Sequence, residues 1–307
     1  MSKKYPRTYL AETRGSTKTD REEILDPSLK QYARAFRLAS PNLKEVELKR
    51  RWRDAQSHVF EFLLRTVADS PWHEALVLRG SLLLKFWLGD AARDPGDLDW
   101  VIRPASAGIK DPTMAQMLKG IIRAAKRGQI GNGIVIEAEH IEVDDIWTYE
   151  RAPGKRIVIP WHVDGLPGGA VQMDFVFGET LHTAPVLLHA SFGDETVPVW
   201  TATLEESLAW KLLWLETDGY PQGKDLYDAV LLAESCYLPW SLLREVLRSD
   251  EWLLNNKPVW EIFTSTGVDW ENFKREFPSA TGNGSDWQKR LKNALARTLA
   301  ERNAASL

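Results

Sequence analysis

The chain has 307 residues, 44% of them hydrophobic and 27% charged, with a net charge of −4. This composition is typical of a soluble globular protein with one large domain or two modest ones. It argues against a membrane-spanning helix, a signal peptide and a cysteine-based zinc site: no run of eighteen apolar residues occurs, the N-terminus is polar, and Cys236 is the only cysteine. We therefore expect a cytoplasmic protein, and the negative charge weighs against tight nonspecific binding of nucleic acids without excluding a local basic groove.

The N-terminal region is predicted to be a partly disordered leader, over residues 1–40, followed by a helix after Pro41-Asn42. The apolar stripe of this helix comprises Leu48, Trp52, Ala55, Val59 and Phe62. Its other face carries the basic residues Lys49, Arg50, Arg51 and Arg53. We interpret these charges as a solvated face, with a basic rim for a nucleic-acid partner as the alternative.

Two short strands with a helix between them are predicted next. Residues 75–79 (ALVLR) are typical of a buried strand, Gly80-Ser81 interrupts it, and residues 82–88 continue as a helix. A loop rich in Asp and Gly follows over residues 89–96, and residues 97–102 (DLDWVI) form the second strand.

One more helix and several strands are predicted up to residue 203. Residues 112–127 look helical and carry the basic residues Lys119, Arg123, Lys126 and Arg127. Residues 134–179 have the apolar runs of strands, with a hairpin turn at GLPGG (165–169), and residues 197–200 add another short strand.

From Leu204 onward the pattern becomes helical. Helices are predicted over residues 204–217, 224–235, 239–248, 258–263 and 285–303. The 14 tryptophans recur among aliphatic residues at helix-like spacing, so we expect them in the core rather than as platforms for stacking bases. The chain is thus predicted to be an α/β domain over residues 41–203 followed by a helical domain over residues 204–307.

Asp97 and Asp99 are the strongest candidates for chemistry. They lie two positions apart on a predicted strand, so their side chains point to the same face, with α-carbons about 6.5–7 Å apart. Both carboxylates can then bind one metal ion or a close pair, and such hard oxygen ligands suit Mg²⁺ or Mn²⁺ carrying substrate phosphates. Taken alone, an Asp-x-Asp after a turn is more often a solvated strand end.

Gly80-Ser81 strengthens this hypothesis. Glycine lets the backbone turn and a ligand approach closely, and the serine hydroxyl with the amides of a helix N-terminus can bind a triphosphate. A plain helix N-cap is the alternative. The order of strand, Gly-Ser, helix, loop and Asp-x-Asp strand places the phosphate-binding turn beside the carboxylates.

Asp174 is the third acid of the predicted site. It lies in the strand AVQMDFVF, which is apolar apart from Gln172, and a carboxylate buried there is costly unless it is paired or bound to metal. We expect it to join Asp97 and Asp99 as a metal ligand or as the general base for an attacking hydroxyl. The alternative is an acid at a strand edge facing water.

Three stretches resemble nucleotidyltransferase toxins of the AbiEii/AbiGii type: VLRGSLLLKFWLGDAARDPGDLDWVI, TYERAPGKRIVIP…GGAVQMDFVFGE and LEESLAWKLLWL…GKDLYDAVLLAE. Together they cover about residues 70–235. The resemblance implies a polymerase-β-like nucleotidyltransferase core, a mixed sheet flanked by helices, followed by a helical C-terminal domain. It also implies transfer of a nucleotide from a nucleoside triphosphate (NTP) to an acceptor such as the end of a tRNA, and a cognate antitoxin as partner.

The resemblance also assigns residues. Asp97 and Asp99 match the metal-binding acids, Gly80-Ser81 the phosphate-binding turn and Lys211 the lysine that contacts the triphosphate. Asp225 matches the acid of the later helix. Nucleotide binding is further assigned to Arg93 and to Asp228, one turn beyond Asp225. Pro95 is a departure, since the family often has a serine there and its hydroxyl is missing.

The residues around Lys211 are compatible with this assignment. Lys211 borders the apolar stripe of its helix, so its side chain can extend over the core towards a cleft, although a surface lysine is the commoner case. Asp225 and Asp228 share one helical face, where both can instead stabilise the positive end of the helix dipole.

Three functions remain open from the sequence. The leading one is a metal-dependent nucleotidyltransferase toxin that modifies RNA. The second keeps the fold but modifies a small molecule, as antibiotic-modifying nucleotidyltransferases do, and the negative net charge suits it slightly better. The third is a nucleotide-binding module without catalysis.

Overall fold

The computed structural model describes Pro41 and residues 43–146, 152–193, 195–219, 221–248 and 267–305, together with two short strands before them. Most of the predicted leader over residues 1–40 and the predicted helix over residues 258–263 lie outside the described residues. The chain divides into two compact units. The first comprises the residues up to Phe86, Asp94–Thr180 and Val186–Thr201, and the second comprises Trp87–Arg93, Leu181–Pro185 and the residues from Ala202 onward.

The first unit is built on a mixed β-sheet, beside a separate antiparallel pair of β1 (Glu23–Leu25) and β2 (Phe36–Leu38). The strands of the main sheet are β3 (Leu76–Arg79), β4 (Asp97–Ile102), β5 (Val135–Ile136), β6 (Glu142–Asp145), β7 (Gly154–His162), β8 (Gly169–Val176), β9 (Val186–Phe192) and β10 (Glu195–Thr201). Their order is β5-β7-β8-β4-β3-β10-β9, and β6 also pairs with β7. This order places β4 in the middle of the sheet. The pairs β4–β8 and β3–β10 are parallel and the others antiparallel.

Three helices accompany this sheet: α1 (Val46–Ala68), α2 (Ser81–Leu88) and α3 (Pro112–Arg127). Trp52 of α1 packs against Trp161 of β7, with ring centroids 5.4 Å apart. Trp161 and Arg156 are an odd number of positions apart on β7, so α1 covers the face of the sheet opposite to Arg156. α3 packs against α1, where Gly128 leaves room for the ring of Phe62.

The second unit is helical. Its helices are α4 (Leu204–Thr217), α5 (Gly223–Ser235), α6 (Trp240–Leu247), α7 (Trp270–Glu276), α8 (Gly284–Ala294) and α9 (Ala296–Ala305). α4 packs against α5 and α6, and α8 packs against α5. Tyr227 and Trp287 join α5 to α8, with ring centroids 4.6 Å apart. No helix in the described part of the chain is both long and apolar enough to cross a membrane.

The predicted fold class is confirmed: a mixed sheet flanked by helices is followed by a helical part. Most tryptophans with a described side chain are buried, as predicted, and the others are half-buried. GLPGG joins the antiparallel strands β7 and β8, as the predicted hairpin requires.

One helix prediction is wrong, and one helix was not predicted. The single helix over residues 285–303 is interrupted at Leu295, a buried residue whose ψ of 4° ends α8 before α9 begins. The apolar pattern runs across this break and therefore hides it. α7 was not predicted, because its 7 residues are too few for a periodic pattern.

Candidate active site

β4 presents Asp97 and Asp99 on one face and buries its other face. Leu98 and Trp100 are fully buried at 0% exposure, while both aspartates are partly exposed. This alternation is the one that the sequence predicts for a strand with two carboxylates on its open face.

The turn between β3 and α2 lies directly against these carboxylates. Gly80 has φ of +81°, and a Cβ added there would overlap Asp99 Oδ2 and lie 2.9 Å from Asp99 Cγ. Ser81 is buried, and its Oγ donates a hydrogen bond of 2.8 Å to Asp97 Oδ1. The structure therefore brings the predicted phosphate-binding turn and the carboxylate pair together.

Asp174 is the direct neighbour of Asp99 in the sheet. The parallel pairing of β4 and β8 sets Asp174 opposite Asp99, while Arg79 of β3 lies opposite Asp99 on the other side. Arg156 of β7 lies opposite Asp174. Paired residues in a sheet point to the same face, so four neighbouring strands carry a row of charges in the order plus, minus, minus, plus. The alternative of a solvated Asp174 at a strand edge is wrong, since it is 1% exposed.

Arg156 compensates the buried charge of Asp174. Its Nε donates 2.8 Å to Asp174 Oδ1 and its Nη2 donates 2.7 Å to Oδ2. Such a bidentate pair is the strong form of a salt bridge and accounts for a carboxylate inside an apolar strand. Each carboxylate oxygen keeps a further lone pair for another partner. Arg156 was not among the predicted site residues, although an arginine directly before the apolar run IVIP is a usable signal.

Arg79 is the second arginine that the sequence analysis missed. It is 3% exposed, precedes the Gly80 turn, and donates from Nη1 to Glu179 Oε2 at 2.6 Å. Because Glu179 follows β8, this pair ties the end of β3 to the region just beyond Asp174.

The carboxylates of Asp97 and Asp99, beside Gly80-Ser81, are suitable ligands for a hard divalent cation. No group of three or more His, Cys, Asp or Glu side chains within the described ranges is arranged to hold a metal ion. Both oxygens of Asp174 are engaged by Arg156, which leaves Asp97 and Asp99 as the primary candidates. Their carboxylates suit Mg²⁺ or Mn²⁺, and partial exposure leaves space for water and phosphate oxygens.

A second group of predicted residues meets in the helical unit. Lys211 Nζ lies 2.7 Å from Asp225 Oδ1 and 3.0 Å from Asp228 Oδ2. Arg93 Nε lies 3.2 Å from Asp228 Oδ1. Lys211 is 5% exposed and Asp228 0%, so the alternative of a surface lysine is wrong. The four side chains, called the buried charge cluster below, carry two positive and two negative charges.

Mutual attraction favours the charged forms of Lys211 and Asp228 in the buried charge cluster. Burial alone would lower the pKa of Lys211, but Asp225 and Asp228 outweigh it and the pKa is raised. Burial would likewise raise the pKa of Asp228, yet Arg93 and Lys211 outweigh it and the pKa is lowered. Both shifts favour the charged forms at neutral pH.

The segment that leads from α2 towards β4 is held in this unit by α5. Tyr227 Oη donates 2.8 Å to the carbonyl oxygen of Ala91, and Arg93 of the same segment reaches Asp228. Asp225 lies in the first turn of α5, where the helix-dipole role was the alternative prediction. Its direct hydrogen bond from Lys211 is the more specific interaction.

The part of the chain that carries these elements matches the model of a known protein family. The family model described as nucleotidyl transferase AbiEii toxin, type IV toxin–antitoxin system, matches residues 61–297, more than three quarters of the chain. The chain belongs to the AbiEii family. The match confirms the resemblance found in the sequence, and it spans β3, β4, β8 and the buried charge cluster. No curated protein sequence matches the chain significantly.

Proposed function

We propose that this AbiEii-family chain is a metal-dependent toxin that transfers a nucleotide from an NTP to RNA, such as a tRNA end. The family supplies the reaction class. One observation carries the assignment to a site: Asp97 and Asp99 face outward from β4 with Ser81 bonded to Asp97 and Gly80 packed against Asp99. Carboxylates beside a glycine-serine turn at a helix start combine metal ligands with phosphate donors.

The triphosphate would bind at the start of α2. The amides of its first turn have no partner within the helix and attract phosphate oxygens, and the absence of a Cβ at Gly80 permits close approach. Asp97 and Asp99 would hold Mg²⁺ or Mn²⁺, with Ser81 fixing the orientation of Asp97. The bound cation would neutralise phosphate charge and orient the triphosphate.

Asp174 would assist the acceptor. Its bidentate hydrogen bonds with Arg156 fix its orientation, and its remaining lone pairs would accept the proton of an attacking hydroxyl or complete the cation's ligands. The new bond joins the hydroxyl oxygen to the α-phosphorus, the bond from that phosphorus to the bridging oxygen breaks, and pyrophosphate leaves.

The predicted contacts of the buried charge cluster with nucleotide remain proposals. An ammonium has three donors, and Asp225 and Asp228 take two of those of Lys211, so one is left for a phosphate. Asp228 is fully buried and would act on nucleotide only through Lys211 or Arg93. Arg93 is partly exposed, so we propose that it contacts the nucleotide directly. A cognate antitoxin is proposed from the family's description, and NTP and RNA as substrates favour action in the cytoplasm.

The test is incubation of the chain with each α-labelled NTP, Mg²⁺ and either total RNA or a set of small hydroxyl compounds. The proposal predicts label in RNA, dependent on Mg²⁺ and lost on chelation. Label in small compounds alone would establish the second candidate from the sequence. Mg²⁺-dependent NTP binding detected by calorimetry, without label in RNA or in any small compound, would contradict the enzyme and favour a nucleotide-binding module without catalysis.

A further inference from the structure

Four basic side chains lie along one side of α3. Lys119, Arg123, Lys126 and Arg127, here called the basic stripe, are separated by four, three and one residues and span an arc of about 100° on the helix. All four are exposed. The opposite side of α3 is buried and comprises Met114, Met117, Leu118, Ile121 and Ala125.

The basic stripe has no acid to balance it. α3 contains no Asp or Glu, and none of the four side chains has an ion-pair or hydrogen-bond partner among the residues that the structure describes. Exposed faces usually mix both signs, and this chain is acidic overall, so a face of one sign calls for an explanation. Lys126 and Arg127 complement the helix dipole in the last turn, but Lys119 and Arg123 lie too far from that end.

The basic face of α1 differs in this respect. Arg50 pairs with Glu47 at 2.7 Å and with Asp54 at 2.9 Å. Arg53 pairs with Asp94 at 2.6 Å. These partners neutralise much of the face on which the sequence allowed a nucleic-acid rim. Two of the four cations on the α1 face are therefore paired, whereas none of the four on α3 has a partner among the described residues.

We propose that the basic stripe binds the phosphate backbone of RNA and so docks the acceptor, an inference that rests on the proposed function. A row of cations about 12 Å long, at 1.5 Å per residue, matches a regular polyanion better than an apolar or mixed-charge partner. Lysine and arginine contacts to phosphates give binding without reading sequence.

The position of the stripe favours a large acceptor. α3 packs on α1, and α1 covers the face of the sheet opposite to the one that carries Arg156, Asp174 and Asp99. A small hydroxyl compound bound at Asp97 cannot reach the stripe, whereas a folded RNA can extend over both. The basic stripe therefore favours RNA over a small molecule as the acceptor of the proposed reaction.

The test uses the full chain and fluorescein-labelled unfractionated tRNA, without NTP or metal. K119Q/R123Q/K126Q/R127Q is compared with wild type by fluorescence anisotropy over a series of KCl concentrations. The slope of log K against log salt is negative, and each lost phosphate contact reduces its magnitude by about 0.7–0.9. Loss of three contacts therefore reduces that magnitude by about 2–3 and weakens the affinity at 0.1 M salt by roughly 100-fold. K119Q/R123Q, away from the helix end, gives a smaller loss of roughly 10-fold and replaces the quadruple variant if that one fails to fold.

The matched control is K44Q/K49Q/K289Q/K292Q, which removes four exposed lysines elsewhere and the same net charge. Retention of most tRNA affinity by the control supports the proposal. An equal loss in both variants, or none in the stripe variant, overturns it. Binding of wild type to phosphatidylserine vesicles but not to tRNA, with loss in the stripe variant, also overturns it in favour of a membrane surface. Because RNA labelling by wild type is measured separately, failure of the reaction is distinguished from failure of the docking surface.

Discussion

Gly80 meets two constraints at once: a left-handed backbone and a neighbouring carboxylate that leaves no room for a Cβ. The first constraint alone is shared by several glycines, including Gly89, where nothing lies within 4 Å of an added Cβ. Only at Gly80 does the second constraint involve Asp99. Substitution of Gly89 therefore introduces backbone strain alone, whereas substitution of Gly80 also displaces the carboxylate of Asp99.

Gly80→Ala is expected to lower kcat for nucleotide transfer by about 100-fold, because a displacement of about 1 Å at a reacting group has an effect of that size. Gly89→Ala should match it in strain, about 1–2 kcal/mol of unfolding free energy, but retain activity. Transfer of labelled nucleotide and urea unfolding measure the two effects. Equal activity of both variants would show that the contact of Gly80 with Asp99 does not matter.

Arg156 and Asp174 are expected to depend on each other for stability. Removing one partner of a buried pair leaves an uncompensated charge, so R156M and D174N should each cost about 3–5 kcal/mol, and R156M/D174N less than their sum. Urea unfolding of all four proteins should give a coupling of about 2 kcal/mol or more. The exposed pair of Arg50 and Glu47 is the control and should show little coupling. Additive effects in the buried pair would contradict its role.

The sequence could predict the residues whose role depends on local pattern. Alternation along one strand is enough to place Asp97 and Asp99 on one face, and the Gly-Ser break is visible between two apolar runs. Arg156 could not be joined to Asp174 in the same way, because that contact depends on the register between β7 and β8. The burial of Lys211 likewise depends on acids of another helix.

At the scale of elements, α4 and α5 are joined by opposite charges in their packed interface. Lys211 of α4 meets Asp225 and Asp228 of α5 there, and Arg93 supplies the second cation. A buried pair is weak evidence for net stability but is costly to break. The cluster therefore fixes how α4, α5 and the segment of Arg93 fit together.

Asp228→Asn should destabilise the chain at neutral pH by about 3–5 kcal/mol, because Arg93 and Lys211 lose a common partner. The pKa of Asp228 is lowered on folding, so its contribution is present above the ordinary value of 3.8 and is lost as pH falls towards the folded value. The difference between wild type and D228N in urea unfolding should shrink below about pH 4. Asp164→Asn, at an exposed acid, is the control. A difference that stays constant down to pH 3 would contradict the lowered pKa of Asp228.

The ends of elements were predictable where a capping residue marks them. α3 begins after Asp111, whose side chain accepts from the amide of Thr113, and α4 begins after Thr203, which accepts from the amide of Glu206. Both helices agree with their predicted ranges. The break at Leu295 has no Gly or Pro to mark it.

For the whole molecule, the two compact units are not consecutive along the chain. Trp87–Arg93 and Leu181–Pro185 belong to the helical unit although both precede Leu204. The second segment is held because the backbone amides of His182 and Thr183 donate to the buried carboxylate of Glu206, at 2.6 Å and 2.9 Å. The predicted domains meet at a single boundary between residues 203 and 204. One boundary cannot describe units made of separate segments, because such units arise from long-range contacts.

We propose that Asp97 and Asp99 are the metal-binding acids on which nucleotide transfer by this AbiEii-family chain depends. The direct measurement compares wild type, D97N and D164N for Mg²⁺-dependent transfer of α-labelled nucleotide to total RNA, with unfolding curves to show that all three are folded. Loss of a group that stabilises transition-state charge should lower the rate of D97N by at least about 100-fold, while D164N stays near wild type. Transfer by folded D97N at the wild-type rate would contradict the account.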